Sequence, residues 1–377
     1  MKQLHLLRAL LQQALSTSYP TIPQWAPALT LSHSAQIKEW VLLLENHRVV
    51  LCLYPLIKQY LPPNHPIVSQ LKLNSLTWLQ RDLQHQKWVV DIAANFAQQE
   101  LTYAFLKGPV LNQQLYGNDI RRSSKDIDIL ITQEDLIQAD TALRALGLSP
   151  CQGSITVAEY FHLKTSHQKR IKDFGYQDAE KKVLIELHLK TCLSEAQPYL
   201  QKHSPTLELD FKQVPVHTLP AEENFLYLAT HAAKDHWTRL QWLLDLAVFY
   251  QKIPLNWQRV CDLARSQRRI RALIGSAILL TEWFDLKLPP IPASRWDRYW
   301  AWAHVCFARK QLKRVTSPAP AQNKWLALPS HCVLLFCYCA CFSQKKTYLQ
   351  SHWISLRQIL LPTFLHHCFN NWLRLRG

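Results

Sequence analysis

The sequence predicts an α+β fold: a small mixed β-sheet core flanked by N-terminal and C-terminal helical regions. Three observations carry that expectation. Glycine is scarce, with 7 among 377 residues, while Leu, Gln, Ala, Lys and Arg fill long stretches, which favours helix over a turn-rich all-β chain. Apolar residues recur at helical spacing before residue 100 and again from Ala221 onward. Short β-prone runs bounded by Gly, Pro or polar residues cluster between 101 and 200. The expected plan is therefore an N-terminal helical region over 1–100, an α/β core over 101–200, a helical domain over 201–315 and a C-terminal helical segment over 316–377. At 48% hydrophobic, the chain is long enough to bury the core of two or three such units.

The spacing predicts helices from Lys2 to Leu15, Ala35 to Tyr60 and roughly Val68 to Gln99, separated by proline-containing segments. Trp40, Leu43, Leu44, His47 and Leu51 fall near one face, a packing stripe. Thr102 to Leu106 reads as a strand ending at Lys107-Gly108, after which Pro109 opens a helix through Tyr116. A polar loop, Gly117 to Lys125, leads to a second strand, Asp126 to Ile131. Thr132 and Asp135 suit a capping box for the next helix, which Gly147 terminates. Ile171 to Tyr176 and Val183 to Leu189 read as a hairpin feeding the same sheet. Beyond it, helices are expected from Ala221 to Tyr250, Trp257 to Phe284 and Ala293 to Leu312, followed by a linker at Thr316 to Pro320 and a last helical segment. The chain has no internal repeat.

Lys plus Arg outnumber Asp plus Glu by 43 to 27, a net charge of +16. The resulting field attracts phosphates, nucleotides, nucleic acid or anionic lipid without choosing among them. The ten cysteines follow no small-domain disulfide spacing and read as reduced thiols. Met1 to Ser16 is interrupted by Arg8, Gln12 and Gln13, unlike a signal peptide, which points to a cytoplasmic protein. The apolar run from Cys332 to Phe342 is shorter than the ~20 residues that cross a bilayer, so no transmembrane segment is expected. Cys337, Cys339 and Cys341 within it lack the paired spacing of a zinc module.

The chemistry concentrates on Asp126 and Asp128. Residues two apart on a strand point to the same side, so these carboxylates project together while Ile127, Ile129 and Ile131 enter the apolar layer. Side by side, they repel unless a cation lies between them. Hard oxygen donors suit Mg²⁺ or Mn²⁺. Glu186 is the candidate third ligand, because Leu184, Glu186 and His188 share one face of their strand. Two readings fit His188: a group orienting a carboxylate or touching phosphate, and a hydrogen-bonded structural histidine. Two also fit the loop cations Arg121, Arg122 and Lys125, namely counter-charge for phosphate and a solvated basic loop.

The segments LKGPVLNQQLY, RRSSKDIDILI and VLIELHLK resemble the nucleotidyltransferase superfamily that includes DNA polymerase beta, and within it a bacterial group of uncharacterised nucleotidyltransferases. The likeness extends to WVLLLENHRVVLCLY and HAAKDHWTRLQWLLDLAVF, most of the chain. By position it implies Gly108 at the phosphate turn and Asp126, Asp128 and Glu186 as catalytic metal ligands. One departure stands out: the superfamily's turn is usually Gly-Ser or Gly-Gly, whereas Pro109 here offers neither hydroxyl nor N–H. Lys107, Arg121 and Arg122 are the candidate substitutes for that phosphate grip.

The expected activity is transfer of a nucleoside monophosphate from a nucleoside triphosphate, ATP among them, to an unidentified acceptor with release of pyrophosphate. The alternative is a catalytically degenerate fold that binds a nucleotide or a partner, motivated by Pro109. A basic nucleic-acid-binding protein is a third reading and the less favoured one. His231 and Asp235 are expected on one face of a single helix spanning His231 to Asp245, either facing the pocket or pairing locally. Trp296, Trp300 and Trp302, interleaved with Arg295, Arg298, Arg309 and Lys310, suit a partly buried amphipathic helix better than a nucleic-acid or peripheral membrane surface.

Overall fold

Seven strands form one mixed sheet in the order β3-β4-β5-β2-β1-β7-β6, seen in a computed structural model that describes residues 2–15, 34–180, 182–191 and 199–314. The strands are β1 (Tyr103–Phe105), β2 (Asp126–Ile131), β3 (Ser149–Pro150), β4 (Asp173–Gln177), β5 (Leu184–His188), β6 (Leu207–Phe211) and β7 (Val214–Thr218). At the centre β2 runs parallel to β5 and antiparallel to β1. The expected hairpin is present, with β4 antiparallel to β5. Expectations placed on the linker at 316–320, on Cys337, Cys339 and Cys341 and on the last helical segment lie outside the described residues.

Thirteen helices accompany the sheet among the described residues. Before it come α1 (Lys2–Leu15), α2 (Ser34–Asn46), α3 (Val50–Tyr60) and α4 (Pro66–Gln98); within it α5 (Gly108–Tyr116), α6 (Leu136–Ala145), α7 (Val157–His162) and α8 (Thr165–Gln168). After it come α9 (Ala221–Lys234), α10 (Leu240–Lys252), α11 (Trp257–Ser266), α12 (Ile270–Phe284) and α13 (Arg295–Arg314).

The alternation read in the strands sorts the sheet's two faces. Ile127, Ile129 and Ile131 of β2, with Ile185 and Leu187 of β5, join Val89, Ile92 and Phe96 of α4 in one apolar cluster. Ala104 and Leu130, on the opposite face, join a second cluster built from the flanking helices. The long helix α4 serves both, giving Ile67, Val68 and Leu71 to the helical core and its last turns to the sheet. It thereby fixes the helical part over the sheet face that carries Leu130 and, two and four residues earlier, Asp128 and Asp126.

Three expected helices are broken. The Ala35 to Tyr60 run divides at Arg48 (φ 56°), the Ala221 to Tyr250 run at His236 and Trp237 (φ 57° and 47°), and the Trp257 to Phe284 run at Arg268 (φ 58°). His231 to Asp245 is consequently not one helix. The second break has a packing cause: Trp237 is fully buried, and its Nε1 donates to Ser276 Oγ at 3.1 Å. Residues 207–218, expected within the helical domain, form the β6–β7 hairpin, whose β7 pairs with β1 and extends the sheet past residue 200. The Thr132 and Asp135 capping box forms by half. Thr132 Oγ1 accepts from Asp135 N at 3.0 Å, but the Asp135 carboxylate accepts from Thr102 N at 2.8 Å and pairs with Lys202.

The described cysteines, Cys52, Cys151, Cys261 and Cys306, are free thiols. No described helix is long and apolar enough to cross a membrane.

Candidate functional site

The parallel register of β2 and β5 sets Asp128 beside Glu186. Alternation then raises Asp126, Asp128, Glu186 and His188 on the face turned away from the isoleucine layer. His188 lies 2.9 Å by Nε2 from Asp128 Oδ1 and 3.2 Å from Glu186 Oε2, while its Nδ1 is 3.4 Å from Asp173 Oδ2. Lys107, the residue before the glycine turn, brings Nζ to 3.0 Å from Asp128 Oδ2. Asp128, Glu186 and His188 each offer one ligand atom within 4.8 Å of the others. Asp126 stands next to that set, its backbone carbonyl accepting from Ser124 Oγ at 2.7 Å.

These neighbours divide the charges unequally. Burial works against an ionised Asp128, but Lys107 and His188 outweigh it and hold its carboxyl well below the usual range. Asp126 moves the other way, raised by burial and then by Asp128, with Glu186 adding to the repulsion. His188 is raised against burial by its bonds to Asp128 and Glu186. Negative charge at Asp126 thus lacks full compensation among the side chains. Three oxygen donors with that surplus fit a divalent cation, and His188 suits the role of holding Asp128 in orientation.

A cavity of about 220 Å³ opens over the carboxylates, lined by Asp126, Asp128 and Glu186 below and by α9, α10 and the Arg48 junction above. The residues singled out in the sequence take different places around it. Gly108 turns with φ 67° at the start of α5, and Pro109 occupies the first turn. Lys107 and Arg122 line the cavity, but both are engaged: Lys107 with Asp128, and Arg122 in a buried ion pair with Asp245 at 3.0 Å. Asp245 raises the Arg122 guanidinium despite burial, so Arg122 stays cationic. Arg121 pairs with Asp119 at 2.9 Å and does not line the cavity. Lys125 is exposed, its ammonium lowered by Arg48, then by its partial burial and by Arg239 and Arg81.

His231 and Asp235 both line the cavity, with Lys234 between them at 3.7 Å from Asp235. Burial, then Lys107, pushes His231 well below the ordinary histidine range. Trp296 and Trp302 lie away from it on α13, 70% and 52% exposed, while Ala301, Val305 and Ala308 turn inward, the amphipathic arrangement expected.

Among the cavity residues that escaped the sequence reading are Arg48, Lys172, Tyr227 and Arg239. Arg48 and Arg239 sit at the first two helix breaks, and the breaks are joined, because Gln241 N donates to His47 O at 3.2 Å and Leu240 N to His47 Nδ1 at 3.4 Å. Burial and then the like charge of Arg239 press the Arg48 guanidinium down to about 10, with Asp126 pulling it back up. The conspicuous aromatic and acidic residues of HAAKDHWTRLQWLLDLAVF hid the one arginine that faces the site.

A family model described as "Uncharacterised nucleotidyltransferase" matches residues 33–285, well over half of the chain. The chain belongs to this family. The matched span takes in all four carboxylate-site residues, the cavity and both helix-break arginines. Among solved structures, the chain is similar to an antigenic nucleotidyltransferase-like protein from Paracoccidioides brasiliensis at 15% identity and a TM-score of 0.29, over 61% of this chain and 91% of that one, a likeness too slight to support inference. No curated protein matches.

Proposed function

We propose that the protein is a metal-dependent nucleotidyltransferase that moves a nucleoside monophosphate from a nucleoside triphosphate to an acceptor hydroxyl, in the manner of enzymes resembling DNA polymerase beta. The observation that carries this reading is the set of three carboxylates, Asp126, Asp128 and Glu186, over one sheet face at the floor of a cation-lined cavity. Asp126, Asp128 and Glu186 would hold Mg²⁺ or Mn²⁺, which would supply charge neutralisation for the phosphates and lower the proton affinity of the acceptor oxygen. His188 and Lys107 keep Asp128 ionised and oriented. Glu186, less buried than Asp128, lines the cavity and would assist deprotonation of the acceptor. In the transfer, the acceptor oxygen bonds to the α-phosphorus, the α–β phosphoanhydride bond breaks, and pyrophosphate leaves with its electron pair. Positioning and electrostatics supply most of such a rate enhancement. A cytoplasmic setting, with abundant triphosphates and free thiols, suits this reading.

The test is incubation with labelled ATP, GTP, CTP or UTP, Mg²⁺ or Mn²⁺ and a cell extract, comparing wild type with Asp128→Asn. Wild type should label an acceptor and release pyrophosphate, and the variant should do neither. Equal labelling by both would sink the reading. One observation favours a binder without turnover: Pro109 lacks the turn's usual donors, and Lys107 is held on Asp128. Nucleotide uptake without pyrophosphate release for every acceptor offered would select it.

A further inference from the structure

The cations expected at the phosphate turn are already neutralised. Lys107 stands on Asp128, Arg121 on Asp119 and Arg122 on Asp245. A second set is not. Among the described residues, no carboxylate lies within ion-pair distance of Arg48 or Arg239, two like charges that line one cavity. Arg48 and Arg239 are half-buried on the cavity wall, so water screens their repulsion only in part. Arg239 also lies over the Trp242 ring, 5.1 Å from its centroid, a contact that orients the guanidinium without neutralising it.

Their position in the site is specific. The junction that carries both arginines is tied to the segment entering β2: Gln241 N donates to His47 O, while Gln241 Nε2 donates to Ser123 O and its Oε1 accepts from Ser123 Oγ, three residues before Asp126, which places the pair at the Asp126 end of β2. The glycine turn is at the same end, since a Cβ on Gly108 would meet the Asp126 carbonyl oxygen at 3.6 Å. Lys172, by contrast, pairs with Asp173 beside His188, toward the other end of the carboxylate row. The surplus of positive charge therefore faces the turn and not the end toward His188.

We propose that Arg48 and Arg239 seat the β- and γ-phosphates of the nucleoside triphosphate, replacing the donors that Pro109 removes from the turn. This rests on the nucleotidyltransferase reading for the identity of the ligand, but the binding it predicts does not require turnover. Guanidinium groups suit the task, because each presents a fork of N–H donors to phosphate oxygens. The joined helix breaks hold both arginines in place before the ligand arrives, through His47 O and Nδ1 on one side and the buried Trp237 on the other. The seat should accordingly distinguish a triphosphate from a monophosphate while leaving the base unread.

The test is calorimetry on the full chain with Mg²⁺, using inorganic triphosphate, ATP and AMP as probes and wild type, Arg48→Gln, Arg239→Gln and the double variant as proteins. Lys72→Gln, an exposed change on α4 outside the cavity lining, controls for net charge. Removing either guanidinium from the phosphates should weaken ATP and inorganic triphosphate on the order of 10-fold or more. AMP should change less than about 2-fold, and Lys72→Gln should leave all three probes as in wild type. Arg239→Gln carries the same test should Arg48→Gln fail to fold. Triphosphate affinity unchanged in the arginine variants, an equal loss for AMP, or no triphosphate binding by wild type would each overturn the proposal. If arginine-dependent triphosphate binding is found and no acceptor is ever labelled, the seat stands and the transferase reading falls. If labelling survives Arg48→Gln and Arg239→Gln with unchanged KM for the triphosphate, the transferase reading stands and the seat falls.

Discussion

Replacing Gly275 with alanine should destabilise the protein, although alanine in a helix interior ordinarily stabilises by about 1 kcal/mol over glycine. Gly275 lies within α12, where a Cβ would sit 2.6 Å from Cη2 and 3.0 Å from Cζ2 of Trp237. Carbon atoms in contact prefer roughly 3.5–4.0 Å, so the indole must retreat by about 1 Å. It has little room: Trp237 is fully buried, its ring centroid is 4.7 Å from that of His304, and its Nε1 is bonded to Ser276 Oγ. Overpacking of this kind costs roughly 1–3 kcal/mol, and loss of the indole hydrogen bond adds about 1 kcal/mol. Setting the helix-propensity gain against these leaves a net loss of roughly 1–3 kcal/mol. Urea denaturation should show a lower midpoint with an unchanged slope. Because Trp237 lies two residues before Arg239, inorganic triphosphate should also bind more weakly. A midpoint at or above wild type would mean that propensity wins and the steric reasoning fails.

Stability should also fall in mild acid through His47, whose pKa burial lowers to about 4 from an ordinary 6.5. Between those values the unfolded chain takes a proton that the native state refuses, so stability is full above about pH 6.5 and declines as pH drops toward 4. His47 alone accounts for roughly 2 kcal/mol by pH 5; urea midpoints at pH 7.5 and 5 measure it, and a pH dependence identical in His47→Gln would refute it. Asp245→Ala strands the buried Arg122 cation and should cost about 3–5 kcal/mol in chemical denaturation; a loss below 1 kcal/mol would show that Arg122 finds another partner. Gly108→Ala meets no clash but keeps φ near 67°, so strain of about 1–2 kcal/mol is expected in a thermal melt. An unchanged melting temperature would show that the turn relaxes without strain.

Strand alternation made the sheet half of the site legible. DIDILI and VLIELHL each declare two faces, and the observed pairing of Asp128 with Glu186 is the arrangement those faces allow. The β6–β7 hairpin was not legible, because its turn is Lys212-Gln213, both at positive φ, where Asn-Gly would have announced it. The helix breaks were hidden for a related reason: Arg48, His236, Trp237 and Arg268 adopt positive φ without glycine or proline to mark them. Such turns are held by tertiary contacts, such as Trp237 on Ser276 and His47 on Leu240, that a local reading of sequence does not contain. Arg121 was the opposite case. Its place in a basic loop beside the Asp126–Asp128 strand suggested a phosphate contact, and a carboxylate two residues earlier captures it.

These two kinds of residue divide the electrostatics of the site. The sheet supplies carboxylates and cations that largely satisfy each other, as Lys107 and His188 do for Asp128. The flanking helices supply Arg48 and Arg239, which no described carboxylate pairs, although Arg239 lies over the Trp242 ring. Like charges brought together in a partly dry cavity raise the energy of the free protein, and a floppy arrangement would relieve it by letting the guanidinium groups swing into water. Here each arginine issues from a junction fixed by backbone bonds to its counterpart, and one junction is wedged by a buried indole. Fixing the arginines before binding moves the ordering cost from the ligand's arrival to the folding of the chain, where the helical core supplies the burial that offsets it. The helical regions are thereby half of the proposed binding site, and α4, which packs on both cores, is the member that holds the two halves in register.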